Sequence, residues 1–229
     1  MKDSREYARK LRKFYRSLKR KYARPECPVY DDPIDAIIYG TISEKITCRA
    51  ADAAMRRCQG YFVGLNDLRV SRTEEIVDVL GEDTPDTRDT ALTLTRFLYS
   101  IFDRYNAVSL KALKKAGKKP ARQILEKLNV VTDFAIDYCM LTSLQAHAIP
   151  LTRRMIECLS SDDLVHPDAD EQQIKGFLAR QVSAEDAYQF YALLRTASEA
   201  RRTRQRGKTA AKTKKQARKK TKKEAKKKK

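Results

Sequence analysis

Acidic and basic side chains at short spacings offer the first chemistry to consider. Asp133 and Asp137 lie four residues apart, so a helix would carry both carboxylates on one face, as a general acid paired with a general base requires. No nucleophile accompanies them, and Asp133 reads better as a negative charge at the positive end of a helix. Arg153-Arg154 reads either as a phosphate clamp or as the solvated start of a helix. Asp31/Asp32, Glu74/Glu75 and Asp162/Asp163 are neighbouring acids beside expected helix starts, where capping accounts for them. His147 and His166 stand apart from any acid or thiol at ligand spacing, and Cys27, Cys48, Cys58, Cys139 and Cys158 are scattered without a CxxC. That spacing builds neither a zinc site nor an iron–sulfur framework. The cysteines read as buried thiols of a reducing compartment. No glycine-rich phosphate loop is present in the sequence.

Charge is the larger signal. The 229 residues hold 49 Lys and Arg against 30 Asp and Glu, for a net +19. Residues 201–229 carry 17 of those basic groups and one acid, Glu224; residues 1–24 carry 11 against two. The 176 residues between them are left with a net charge of −6. A basic chain is thus read as an acidic globule with two cationic arms, and polyanion binding is expected mainly in the arms. From Gly207 onward there is no Leu, Ile, Val or aromatic residue. Such a tail cannot bury apolar surface and repels itself, so disorder in isolation is expected. The roughly 200 residues before it suffice for a substantial core. No apolar run approaches the roughly 20 residues a membrane span needs, and the charged opening MKDSREYARKLRKFY lacks the apolar centre of a secretory signal. These features lead us to expect an intracellular protein of the cytoplasm or nucleoid, or of the nucleus in a eukaryote.

The elements that must position these groups all read as helices. Tyr7, Leu11, Phe14, Tyr15, Leu18 and Tyr22 recur at helical spacing and predict an amphipathic helix over 3–22 with a basic outer face. Asp32-Pro33 opens a second helix and Thr47–Cys58 forms a third. Ser71-x-x-Glu74 reads as a capping box, and Thr84-Pro85 places Pro at the first position of a long helix. Further helices are expected near 110–114, 121–128, 133–144, 152–159, 170–180 and 183–197, with 133–144 apolar on nearly all sides. The fold class is all-α, with about ten helices and no internal repeat. We divide the chain into a basic helix at 1–24, a helical body at 25–200 that can hold two subdomains around a cleft, and a Lys-rich tail at 201–229.

Three stretches carry a resemblance. Asp32-Pro33-Ile34 leads to Ser43-Glu44-Lys45-Ile46-Thr47; Val108-Ser109-Leu110-Lys111 leads to Ala121–Leu128; Glu126-Lys127-Leu128-Asn129-Val130-Val131-Thr132-Asp133-Phe134-Ala135 follows. In order and spacing these resemble the helix-hairpin-helix DNA glycosylase superfamily, the group that includes endonuclease III. The first resembles its Ser-x-Gln-x-Thr element, the second the lead-in to its hairpin, and the third the hairpin Leu-Pro-Gly-Val-Gly-x-Lys-Thr-Ala itself. The resemblance covers about residues 30–200 and implies an endonuclease III-like architecture.

The departures shape the functional expectation. Phe134 stands at the hairpin lysine of the lyases, and a phenyl ring forms no Schiff base. The family's catalytic Asp falls at Thr152, which brings no charge to a sugar cation. Lys45 stands at the glutamine beside the flipped base. No cysteine follows Cys158, so the four-cysteine cluster is missing and no cofactor is expected. Val130 and Thr132 replace the hairpin glycines, while Asn129 can adopt a left-handed turn. The expected DNA contacts are Asn129, Val130 and Thr132 of the hairpin, Arg153 and Arg154, and Arg201, Arg202, Arg204, Arg206, Lys208, Lys212, Lys214 and Lys215 of the tail. The expected function is non-specific DNA binding by a catalytically degenerate, monomeric relative of the repair glycosylases. One alternative is an active monofunctional glycosylase using other pocket residues. Another is an RNA- or ribosome-associated protein, since phosphate attraction does not distinguish the polymers.

Overall fold

The computed structural model describes residues 4–201, and over them the chain is helical with no strand. Twelve helices succeed one another: α1 (Ser4–Lys21), α2 (Pro33–Ser43), α3 (Cys48–Tyr61), α4 (Leu65–Val70), α5 (Thr73–Leu80), α6 (Pro85–Tyr105), α7 (Leu113–Ala116), α8 (Lys118–Glu126), α9 (Asp133–Thr142), α10 (Arg153–Ser161), α11 (Glu171–Gln181), and α12, residues 187–201. Most starts are where the capping residues place them. Asp32, Thr47, Thr84, Thr132, Thr152 and Asp170 each accept a hydrogen bond from a backbone N–H in the first turn of the helix that follows. The expected capping box at Ser71 does not form. Arg72 holds the cap position of α5, and the Ser71 hydroxyl instead donates backward to the Asp67 carbonyl, closing α4. Asp162 and Asp163 also depart from expectation: they end α10 rather than begin a helix, and they pair with Arg201 and Lys10.

The core is organised around α2 and α9, whose residues are buried almost throughout. Their crossing is close because Gly40 has no side chain. A Cβ placed there would lie 2.9 Å from the Ala135 Cα. Gly40→Ala gains up to about 1 kcal/mol of helix propensity. The methyl would press on backbone rather than on a flexible side chain, and overpacking of that kind costs about 1–3 kcal/mol. The second term should win. We expect G40A to melt below the parent in a thermal scan; an equal or higher Tm would show that the two helices can part.

Around this axis, α3 packs on α2 and α5, and α4 and α5 pack on α6. At the other end, α1 buries Ala8, Leu11 and Leu18, the last against Leu193 and Ala197 of α12. The Tyr15 hydroxyl donates to Asp186 at 3.0 Å, and Lys19 pairs with the same carboxylate at 3.0 Å. Helix α1 is therefore seated on the body. Its exposed basic residues Arg5, Arg9, Arg12, Lys13, Arg16 and Arg20 follow helical spacing along the outward face.

Candidate nucleic-acid interface

The segment between α8 and α9 forms the hairpin, and it does so without glycine. Asn129 alone takes the left-handed conformation (φ 49°), which Asn tolerates because its short amide bonds locally. Thr132 is extended (φ −74°, ψ 158°), so a β-branched residue fits where the family pattern has Gly. Its hydroxyl donates to Glu44 Oε2 at 2.7 Å and accepts from the Ala135 N–H at 3.3 Å. Val130 is half-buried and packs on the core. The turn's exposed charges are mixed: Lys127 stands between Glu126 and Asp133. Asp133 lies in the first turn of α9, where its charge favours the helix.

Beside the hairpin a cleft of about 930 Å³ opens, lined by Glu44, Lys45, Asp86, Thr152, Arg153, Arg154, Glu157, Cys158, Ser161, Ser198 and Arg201. A second hollow of about 580 Å³, floored by Ile42, Ala50, Ala54 and Leu80, shares Lys45, Asp86 and Arg154 with it. Thr152 is buried and spends its hydroxyl on the Met155 N–H as the cap of α10. Lys45 bridges to Asp89 and, at 3.8 Å, to Asp86; its hydrogen bond to Asp89 raises its pKa. Arg154 reaches across to the Lys45 carbonyl at 2.9 Å, while Arg153 is open to solvent and pairs with Glu157 one turn on. Arg201 pairs with Asp162 at the rim, next to Lys21 and Tyr22 at the end of α1. Arg202, Arg204, Arg206, Lys208, Lys212, Lys214 and Lys215 lie outside the described residues.

Phe134 takes no part in the cleft. It is 2 % exposed, with Tyr138 and Tyr191 as ring neighbours at 6.4 Å and the Arg195 guanidinium 5.3 Å from its centroid. Arg195 itself is buried in α12. It donates to the carbonyls of Ser43 and Ile46, the latter at 2.9 Å, and pairs with Glu199 at 3.0 Å. Glu199 in turn accepts the Cys48 N–H at 3.0 Å. One guanidinium thus ties α12 to the end of α2 and the start of α3. Asp133 and Asp137 are not a pair: the first faces solvent, and the second is buried between Arg122 at 2.7 Å and Lys175 at 3.0 Å. Burial alone would lower the pKa of both cations, but Asp137 and the adjacent glutamates Glu126 and Glu171 outweigh it and hold them charged. His166 accepts the Asp168 N–H, and no group of side chains able to hold a metal occurs among the described residues. No helix among them is long and apolar enough to cross a membrane.

Glu44 and Arg195 are the residues that sequence reasoning passed over. Glu44 occupies a spacer position in Ser43-Glu44-Lys45-Ile46-Thr47, and only the three-dimensional structure turns it toward the cleft. Burial raises its pKa above the ordinary 4.5, against the opposing hydrogen bond from Thr132. A carboxyl that holds its proton more tightly folded than unfolded stabilises the fold below the unfolded pKa and loses that contribution as pH rises through the folded one. We expect Glu44→Gln to flatten the fall in stability above about pH 4.5. Urea titrations at several pH values read this directly, and parallel curves for parent and variant would refute it.

The hairpin, the capped helix beyond it and the cleft belong to a fold that is endonuclease III-like. The solved structures similar to it include an endonuclease III–DNA covalent intermediate (TM-score 0.65, 14% identity, 82% of this chain and 84% of that one). They include the Clostridium acetobutylicum 8-oxoguanine glycosylase/lyase with DNA holding cytosine opposite 8-oxoG (TM-score 0.65, 15% identity, 87% and 71%). The H. pylori 3-methyladenine DNA glycosylase with 1,N6-ethenoadenine is a third (TM-score 0.59, 12% identity, 88% and 98%). No family model matches the sequence, and no curated protein matches it.

Proposed function

We propose that this protein binds duplex DNA without sequence preference, on a glycosylase-type scaffold that has no lyase or glycosylase chemistry of the family's usual kind. The observation that carries the reading is the position of Arg201. The tail's first cation sits at the cleft rim beside Lys21 of α1 and in the same cleft as Arg153 and Arg154. Sixteen further basic groups follow Arg201 in the sequence. Neutralising only six to ten phosphates would make affinity fall about 10³–10⁵-fold between 50 and 200 mM salt. Anisotropy titrations on an undamaged duplex should show that fall, with similar affinities for unrelated sequences. Salt-independent binding would reject the reading. In this reading the chain acts as a monomer and holds no iron–sulfur cluster.

A second reading rests on Glu44. A carboxyl with a raised pKa lines the cleft that also holds Thr152, and monofunctional base removal needs an acid or base there but no lysine. Duplexes bearing uracil, oxidised pyrimidine or alkylated purine separate the two. Strand breaks after alkali that vanish in Glu44→Gln would establish the enzyme; intact strands throughout support binding alone.

A further inference from the structure

Between Asp103 and Glu126 the chain carries seven basic side chains and not one acid, within a body whose net charge is −6. The rest of that body therefore stands at −13, and the segment differs from it in carrying no acid beside its cations. Leu110, Leu113, Ala121 and Leu125 of this segment point into the core, so its lysines are turned outward. Two of the cations are already engaged. The Lys114 ammonium donates to the Tyr30 carbonyl at 2.7 Å, and Arg122 pairs with Glu126 and Asp137. Lys111, Lys115, Lys118 and Lys119 are exposed and enter no ion pair among the described residues. Four like charges within nine residues repel one another, and Asp35 offsets that cost only in part, through Lys111.

We propose that Lys111, Lys115, Lys118 and Lys119 form a second phosphate-binding surface for duplex DNA, on the body and independent of both arms. This rests on the reading of the chain as a DNA-binding protein. The nine residues of α8 join this patch to the hairpin, a span of about 13 Å. A duplex presents one charge per about 1.7 Å of axis, so about eight phosphate charges lie along that span. A backbone laid along α8 meets the lysines at one end and Asn129 at the other. The charge of the whole segment makes the surface. A lipid surface is the poorer fit, because Leu110, Leu113, Ala121 and Leu125 are buried and Tyr105 is the one large apolar side chain that the segment exposes.

The test changes the four lysines together to Gln in the full-length chain and measures the slope of log affinity against log salt on an undamaged duplex. Each lost contact lowers the slope by about 0.9, so the loss should approach about 3.6 if all four touch phosphate. In parallel, acetylation of the unaltered protein with and without duplex, read by mass spectrometry, should show these four lysines reacting several-fold more slowly when DNA is present. That second measurement stands even where the variant folds poorly. An unchanged slope together with unchanged acetylation sinks this surface. If neutralising the tail still abolishes binding, the DNA-binding reading survives that result. Failure of the unaltered protein to bind duplex at all would overturn both.

Discussion

Deleting Gly207–Lys229 is expected to weaken duplex binding by several orders of magnitude at 50 mM salt, and to weaken its salt dependence at the same time. The segment removed holds 13 Lys and Arg against one acid. Each phosphate neutralised contributes about 0.9 to the salt slope, so losing even half of these contacts would reduce the slope by about 6. The fold should be untouched, because the deletion begins six residues beyond Arg201, where the described helix α12 ends. Thermal melting of the shortened protein should therefore coincide with that of the parent. Three sets of groups remain to give residual affinity: the outward stripe of α1, the arginines of the cleft, and the lysines before the hairpin. An unchanged slope after deletion would show that the body, not the tail, does the binding.

The second large effect concerns stability. Arg195→Met is expected to cost about 3–5 kcal/mol, the range for breaking a buried ion pair by removing one partner. The guanidinium is 2 % exposed and serves two carbonyls and a carboxylate at once. Without it, Ser43 and Ile46 lose a donor and Glu199 keeps only part of its compensation, the Cys48 N–H. Burial alone would lower the pKa of Arg195, but its neighbours more than offset this and hold it above the usual value. Loss of charge is thus no escape for the native protein. Urea unfolding of Arg195→Met and of Arg195→Lys checks the assignment. Lysine retains the charge but not the fork, and it should recover only part of the loss. A loss below about 1 kcal/mol in the Met variant would show that water can replace the guanidinium.

Helix starts were legible because each is a local event. A Thr or Asp cap bonds an N–H two or three residues away, and Asp32, Thr47, Thr84, Thr132 and Thr152 all do so. Ser71 shows the limit of such signals: the motif was present, but its hydroxyl found a better acceptor behind it in α4. That short helix itself was not expected, since six residues carry too little periodicity to announce themselves. The hairpin was legible in its placement and in the left-handed turn at Asn129. Of the cleft lining, the sequence marked Lys45 and Thr152 by the family's spacing and Arg153, Arg154 and Arg201 by their charge. Arg195 reads in sequence as an ordinary surface charge at i, i+4 from Glu199, and only the approach of α2 buries it. Counting charge over 25–200 as a single block concealed the lysines at 111–119, because distant acids cancelled them in the sum.

The setting of Phe134 has a consequence for anyone wishing to install lyase chemistry in this chain. The residue at the hairpin lysine position is sealed beneath aromatic rings, with a buried guanidinium at 5.3 Å. A lysine introduced there would bring a second positive charge into a dry site already holding one, and its amine would reach no solvent-filled cleft. The door between this protein and the lyases therefore does not swing on one hinge: Phe134→Lys should yield an unstable chain, not a nucleophile, until Arg195 and the tyrosines around it are rebuilt as well.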